Sequence, residues 1–317
     1  MRSDASSIKT SDQHSTNTVT GMLFMIAAMI LVPVMDAFAK LLATEFAVSP
    51  GQITFFRFFV QAVLIFSILA IWRPAPTMWP THWVANCSRG ALHASASLFF
   101  FTGVKYMPLA DSMAIFFMAP LLLVLASAWI LKEQVGWRRQ LSVLIGFGGV
   151  LLVIRPNFTA FGFTAFLPLG AAALFTCYLL LTRRWAGRDH PLSMQLASGV
   201  GGSVIIAVVL AIGALLGVSD LQVSVPEAPV AWIYILLIGC IAAVGHLLIT
   251  IAFRHTEASI LAPFQYIEII VAATLGLLVF GEFPDALRWL GIAIIVAAGI
   301  YVFWRERAVA KAQQSLQ

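Results

Sequence analysis

The sequence is poor in charged residues. Asp, Glu, Lys and Arg together make up 10% of the 317 residues, whereas 61% of the residues are hydrophobic. A soluble domain carries about 25% charged and about 45–50% apolar residues, because its surface must face water. A soluble globular fold is therefore excluded, and the mean hydropathy of +0.94 also excludes an intrinsically disordered chain. The composition predicts an integral membrane protein.

Cysteine is scarce as well, with three residues that lie in or beside apolar stretches and form no CxxC pair. A disulfide-framed secreted module is excluded, and a zinc or redox function is disfavoured. The six histidines are scattered, and none stands at metal-ligand spacing from an acid. The net charge of +5 comes from basic residues that form no run or stripe, so no nucleic-acid partner is expected.

Ten segments of the chain are apolar and long enough to be transmembrane helices, each of which needs about 20 mostly apolar residues. Only the segments around residues 74–86 and 219–229 are longer than turns, which leaves no room for a soluble domain. The fold predicted is an all-α integral membrane protein with ten transmembrane helices. The predicted spans are Val19–Leu42, Ile53–Trp72, Gly90–Tyr106, Met113–Leu131, Leu141–Ile154, Phe161–Leu181, Met194–Leu216, Ala231–Phe253, Ile260–Phe280 and Leu287–Trp304.

The distribution of basic residues predicts the orientation in the membrane. With ten spans and the N-terminus inside, fourteen of the 19 Lys and Arg fall in inner segments, three in outer segments and two within spans. This bias agrees with the positive-inside rule and places both termini in the cytoplasm. Residues 1–18, rich in Ser, Thr and Asp, are expected to form a disordered cytoplasmic tail, and residues 305–317 a second cytoplasmic tail.

The two halves of the chain, residues 19–155 and 160–304, resemble each other at a spacing of 149 residues. Gly90 then matches Gly239, Lys105 matches Arg254, and Glu133 matches Glu282. Each half holds five spans, an odd number, so the second half enters the membrane from the opposite side. Such a 5+5 inverted repeat predicts a secondary transporter with a substrate site at the midplane, working by alternating access.

Two sets of residues resemble a known family, the EamA-type transporters of the drug/metabolite transporter superfamily. The resemblance covers almost the whole chain beyond the N-terminal tail. It implies a ten-helix transporter in the bacterial inner membrane, no enzymatic activity and no nucleotide or metal cofactor. The first set is Ala110-Asp111-Ser112, Pro120, Leu131-Lys132-Glu133, Trp137 and Gly148-Gly149, and the second is Glu257-Ala258-Ser259, Pro263, Phe280-Gly281-Glu282, Gly291 and Gly299.

Two further stretches, Ala262–Tyr266 and Phe280–Asp285, are similar to a proteobacterial subgroup with riboflavin uptake proteins and S-adenosylmethionine carriers. The resemblance implies a small-molecule substrate, with riboflavin uptake as the first expectation. An S-adenosylmethionine carrier and an exporter of amino acids or other metabolites remain alternatives. A polytopic membrane enzyme is a remote alternative, because no cluster of acids and histidines gathers at one membrane face. A monomer and a homodimer in the lipid bilayer both remain open.

Ionisable residues inside apolar spans are costly and are therefore candidates for function. Asp36 and Lys40 are four residues apart on one face of the first span, and Arg57 is expected at a similar depth in the second. Together they could bind a polar substrate group or gate the outer mouth, and a mutually neutralised structural network is the alternative. Glu268, near the middle of the ninth span, suits proton coupling or a hydrogen bond with the substrate, with Gln265 and Tyr266 within one turn of it.

Other polar side chains within spans are weaker candidates. His93 and His246 are possible proton carriers, although an intramembrane histidine is as often a hydrogen-bond donor between helices. Thr176 and Tyr178 could complete an inner gate. The runs Phe99–Phe101 and Phe116–Phe117 could stack on a flat ring such as isoalloxazine, but consecutive residues point around a helix, so most of these rings are expected to face lipid or other helices.

Overall fold

A computed structural model describes residues 4–71, 77–119, 121–123, 126, 137–154, 162–185, 188–255, 261, 264, 265, 267–282 and 285–314 of the chain. Within these residues the chain forms ten α-helices of defined extent and two short 3-10 helices, and no strand is present among them. Residues 121–123, 126, 261, 264 and 265 are also helical. The α-helices are α1 (Asp4–Thr44), α2 (Pro50–Ile71), α3 (Trp83–Tyr106), α4 (Leu109–Phe116), α5 (Trp137–Ile154), α6 (Phe166–Trp185), α7 (Pro191–Leu216), α8 (Pro229–His255), α9 (Ile267–Phe280) and α10 (Ala286–Gln314).

The helices follow from the long apolar runs, because a backbone in lipid must satisfy its own hydrogen bonds. Five helical stretches are long and apolar enough to cross a membrane, and shorter apolar helices account for other spans. Each predicted span overlaps one of the ten helices. The fourth span does so only at residues 113–116, and part of its remainder lies outside the described residues. The expected all-α, ten-helix fold is confirmed. The long apolar stretches are Val19–Thr44, Pro50–Ile71, Gly162–Thr182, Pro191–Leu216 and Pro229–His255.

The packing of the helices repeats between the two halves of the chain. Helix α1 packs extensively on α8, and its counterpart α6 packs in the same way on α3. Helices α2 and α5 pack on their own counterparts, α7 and α10. The contacts therefore keep their pattern when the two halves are exchanged, as expected for two repeats related by a pseudo-two-fold axis.

Helix α3 starts at Trp83, earlier than the span predicted from Gly90. Asn86 and Arg89, which precede the predicted span, are fully buried within the helix. Their polar groups find partners on α7 and in the adjoining loop, so the helix can include them. His93, predicted near the inner end of the span, consequently lies well inside α3.

The first and last helices extend beyond the predicted spans. Helix α1 already begins at Asp4, and α10 continues to Gln314. Adding turns to an existing helix costs far less than nucleating a new one, so stable apolar spans can extend into polar flanking sequence. The structure thus places residues 4–18 and 305–314 in helices where we expected tails, and the domain limits 19–155 and 160–304 stay predictions.

Candidate functional site

A cavity of about 80 Å³ lies between helices of both repeats. Small-molecule pockets typically measure about 300–1,000 Å³, so the helices must separate before a metabolite can enter. The cavity gathers six of the ten side chains singled out from the sequence, supplied by α1, α2, α3, α8 and α9 and by the turn before α9. These six are Asp36, Arg57, His93, His246, Gln265 and Glu268.

Arg57 makes several side-chain contacts in this cavity, and it is 2% exposed. Its guanidinium donates a hydrogen bond from Nη1 to the hydroxyl of Ser97. From Nη2 it contacts Nε2 of His93 at 3.1 Å and Nε2 of His246 at 2.6 Å. Its charge also lies over the ring of Phe58, 4.7 Å from the centroid. These contacts fix the guanidinium in one orientation.

The contacts with Arg57 determine the tautomers of both imidazoles. A guanidinium can only donate hydrogen bonds, so Nε2 of His93 and Nε2 of His246 must both be acceptors. Each ring is then neutral and carries its proton on Nδ1. The two rings meet edge to face with centroids 4.4 Å apart. Within the described residues, Nδ1 of His246 has no acceptor.

Asp36 and Glu268 bring two carboxylates to the cavity. Asp36 acts electrostatically on Arg57 and on Glu268. Both carboxylates are buried, with side chains 3% and 8% exposed. One arginine thus faces two acids across the cavity, so a proton or a cationic group can balance the second acid.

One wall of the cavity is aromatic. The ring centroids of Phe100 and Phe116 are 5.2 Å apart, those of Phe116 and Phe175 are 5.1 Å apart, and the imidazole of His93 lies 5.7 Å from Phe175. Spacings of 4.5–7 Å are those at which aromatic rings attract one another. Phe101 and Phe117 also line the cavity, whereas Phe99 is 39% exposed and lies outside the lining.

Methionine side chains form another part of the lining. Met25, Met29 and Asp36 follow one face of α1, and Met35 and Met113 add two further thioethers. Methionine is flexible and polarisable and packs well against aromatic rings of varied shape. A sequence reading gives no reason to separate these methionines from ordinary core residues, and we did not single them out.

Three of the predicted residues lie outside the cavity lining. Lys40 forms an ion pair with Glu282 and contacts the carbonyl oxygen of Met107 at 3.3 Å. The hydroxyl of Thr176 donates to the carbonyl oxygens of Ala119 and Ala172.

Tyr178 is also outside the lining, but it stacks on His93 with centroids 4.4 Å apart. Tyr266 lies outside the described residues. The expected cluster of Asp36, Lys40 and Arg57 is therefore split, since only Asp36 and Arg57 share the cavity.

Arg89 and Ser97 belong to the same polar stripe of α3 as His93 and were missed in the sequence. Arg89 is 0% exposed and donates to Ser198 Oγ and to the carbonyl oxygen of Met194, and its charge acts on both imidazoles. The spacing of Arg89, His93 and Ser97, four residues apart on one helical face, is the signal that could have found them.

Hydrogen bonds and ion pairs also join the two repeats at the ends of the bundle. At one end, Lys40 pairs with Glu282, and Arg288 lies 3.2 Å from a carboxylate oxygen of Asp111. At the other end, Asp189 accepts hydrogen bonds from the backbone of Thr81, at 2.7 Å, and from the side chain of Asn86.

The loop residue Asp189 has a shifted pKa. Burial raises the pKa of its carboxyl, but hydrogen bonds from the Thr81 and His82 backbone, together with the imidazole of His82, lower that pKa below its usual range. The ionised form of Asp189 is therefore favoured at the position where it joins the loop before α7 to the loop before α3.

Ten helices in two repeats around a buried, charged cavity define the class of the protein as a membrane transporter. The model of the EamA-like transporter family matches residues 12–155 and 162–304. The chain belongs to this family, and it is a multi-pass protein of the bacterial inner membrane that transports a small metabolite. It is a transporter rather than an enzyme.

Relatives of known function match nearly the full length of the chain. The riboflavin transporter of Vibrio cholerae is 22% identical over 93% of this chain and 97% of its own length. The S-adenosylmethionine uptake transporter of Rickettsia bellii is 21% identical over 86% and 89%. The pseudopaline exporter of Pseudomonas aeruginosa is 26% identical over 89% and 95%. A solved crystal structure superposes with a TM-score of 0.64 at 17% identity, covering 93% of this chain and 99% of that chain, and supports the fold.

Proposed function

We propose that the protein takes up riboflavin across the inner membrane by alternating access. The observation that carries this proposal is the aromatic wall of the cavity, in which Phe100, Phe116 and Phe175 follow one another at 5.1–5.2 Å. A flat, conjugated ring gains attraction from such a wall by offset stacking. The methionines of α1 add further apolar surface to the same cavity.

The polar side chains of the cavity suit the rest of a riboflavin molecule. Arg57 offers donors, Asp36 and Glu268 offer acceptors, and Gln265 offers both. A ring system with carbonyl groups and a chain of hydroxyl groups needs both kinds of partner. Relatives named riboflavin transporter include those of Vibrio cholerae, Rhizobium johnstonii and Brucella anthropi, which supports the same substrate.

The two carboxylates support coupling of transport to protons. Asp36 and Glu268 share one cavity with one arginine, so protonation of one acid would remove a repulsion between two buried charges. Uptake would then follow the inward proton gradient. Both termini lie in the cytoplasm in this proposal, as the distribution of basic residues predicts, and the working unit is a monomer or a homodimer.

A second candidate substrate is S-adenosylmethionine, which is favoured because the cavity holds two carboxylates and one arginine. Its sulfonium group is a cation that Asp36 or Glu268 could balance, and its adenine ring could stack on the aromatic wall. The relative from Rickettsia bellii is named for uptake of this metabolite. The two substrates differ in charge, so competition experiments separate them.

The test is uptake of radiolabelled riboflavin by an auxotrophic bacterium that expresses the chain, with and without a protonophore. Saturable, protonophore-sensitive uptake that excess unlabelled S-adenosylmethionine does not reduce supports the proposal. The variant Phe175→Leu should lower uptake at least tenfold, and the matched variant Phe99→Leu, outside the cavity, should leave it unchanged. Absence of uptake by protein present in the membrane overturns the riboflavin proposal, and uptake of labelled S-adenosylmethionine instead establishes the second candidate.

A further inference from the structure

We propose that Asp36 and Arg57 together recognise one edge of the substrate's ring, where a hydrogen-bond acceptor stands next to an N–H donor. A lactam edge, with its carbonyl group beside a ring N–H, has this pattern. Arg57 donates to the carbonyl oxygen, and the carboxylate of Asp36 accepts from the ring N–H. This inference rests on the proposed function for the choice of flavin, but the pairing of residues is independent of it.

The first observation concerns the hydrogen bonds that Arg57 leaves unused. Three of its five N–H groups have partners, one on Nη1 with Ser97 and two on Nη2 with His93 and His246. Its Nε atom is buried and has no acceptor among the described residues. An unsatisfied N–H of a buried guanidinium is costly. Once the helices separate to admit a ligand, a carbonyl oxygen of that ligand would satisfy it.

The second observation concerns the carboxylate of Asp36. Asp36 and Arg57 both line the cavity and interact electrostatically, but no ion pair or hydrogen bond joins them within the part of the chain that the structure describes. Two opposite charges buried in one cavity ordinarily close into direct contact, since separation leaves both poorly satisfied. Here the hydrogen bonds of Arg57 go to Ser97, His93 and His246 instead. The separated pair therefore presents a donor and an acceptor to the cavity.

The chemistry of the pair defines what it can select. A carboxylate accepts hydrogen bonds and a guanidinium donates them, so only an edge with the opposite pattern satisfies both. The pyrimidine part of a flavin ring presents carbonyl, N–H and carbonyl in sequence, and stacking against the aromatic wall would leave this edge free to meet α1 and α2. A site with buried polar groups discriminates strongly against an analogue that lacks the matching hydrogen, because its own groups then stay unpaired.

The experiment compares compounds with their analogues in which methylation removes the N–H donor. Binding to the purified, detergent-solubilised protein is measured for riboflavin and 3-methylriboflavin, and for adenosine and N6,N6-dimethyladenosine, whose unmethylated form also pairs an acceptor with an N–H. In each pair of compounds that binds, we expect the unmethylated compound to bind at least about tenfold more tightly. This ratio corresponds to the contribution of one hydrogen bond to a charged partner. Asp36→Ala should bring this ratio close to one. The matched variant Glu268→Gln, at the other carboxylate of the cavity, should preserve the ratio even if both affinities change.

The outcomes separate this inference from the proposed function. Equal affinities within every bound pair overturn the inference, as does a ratio that survives Asp36→Ala. If neither flavin binds but adenosine binds clearly more tightly than its dimethylated analogue, riboflavin is rejected as the substrate and edge recognition is retained. Binding of none of the four compounds would reject both.

Discussion

The guanidinium of Arg57, in the first repeat, donates a hydrogen bond to Nε2 of His246, in the second, over 2.6 Å. This bond crosses the interface between the two repeats inside the cavity. A second acceptor, His93, comes from the same repeat as Arg57. Alternating access moves the repeats relative to each other, so the bond to His246 is the part of this network that such a movement stretches.

Removing the acceptor at position 246 should therefore impair both stability and transport. His246→Leu leaves a charged donor of Arg57 unpaired, which we expect to cost about 1–3 kcal/mol and to lower uptake at least tenfold. His246→Gln can present a carbonyl oxygen to the same donor and should have a smaller effect. Thermal unfolding of the purified protein and uptake per folded copy measure the two consequences.

The matched control for this series is His255→Gln, because His255 is exposed at the end of the same helix. It should behave as the parent protein does. If His246→Leu unfolds at the parent temperature and transports at the parent rate, the bond between the repeats has no role in either.

Glu268→Gln should uncouple transport from protons. The substitution removes the second negative charge that Asp36 repels and keeps nearly the same shape. We expect accumulation against a gradient to disappear and protonophore sensitivity with it, while exchange of labelled for unlabelled substrate continues. Glu227→Gln, at an exposed loop position, is the control and should retain full accumulation. Unchanged protonophore sensitivity in Glu268→Gln would exclude Glu268 from coupling.

The fold could be predicted from the sequence because the bilayer makes a simple demand on each span. A run of about 20 apolar residues has no soluble alternative, and so all ten helices were found. Their ends were harder to place. Asn86 and Arg89 are polar residues inside α3, and only their partners on α7 and in the adjoining loop make that position favourable.

The site was predictable to the extent that it depends on charges within spans. Asp36, Arg57 and Glu268 were singled out because lipid excludes charge, and they meet in one cavity. Lys40 satisfies the same criterion but pairs with Glu282 instead. Packing between helices distant in sequence decides which of these four charges share a cavity. The pattern of residues along one helix does not reveal that packing.

The ion pair between Lys40 and Glu282 should stabilise the contact of α1 with the end of α9. Lys40 is 4% exposed, so Glu282→Gln leaves a buried ammonium group without its paired carboxylate and with only the weaker attraction of Asp111, which is destabilising. The double variant Lys40→Met with Glu282→Gln removes that charge and should recover most of the lost unfolding temperature. Uptake should stay low in both variants if the pair also closes this end of the transporter.

The control is the pair of Lys105 and Asp220, whose side chains are 25% and 21% exposed. Lys105→Gln should change the unfolding temperature little, because partly exposed ion pairs contribute at most about 1 kcal/mol. Equal losses in Glu282→Gln and Lys105→Gln would show that burial of Lys40 does not matter. A double variant less stable than Glu282→Gln alone would contradict the unpaired-charge argument directly.

Because α3 and α7 approach closely at Gly90, even its replacement by alanine should lower the stability of the protein. A Cβ atom at position 90 would lie 2.1 Å from the carbonyl oxygen of Ser198, and this oxygen belongs to a helix backbone that cannot rotate away. The two helices would have to separate, which weakens the bonds of Arg89 to Ser198 and to the carbonyl of Met194. We expect Gly90→Ala to destabilise the protein by about 1–3 kcal/mol.

The control is Gly148 in α5, where no atom lies within 4 Å of the added Cβ. Gly148→Ala should be neutral or stabilising by up to about 1 kcal/mol, as helix propensity predicts. Thermal unfolding of both variants in one detergent decides the matter, and equal unfolding temperatures would mean that α3 and α7 pack less closely than the structure shows.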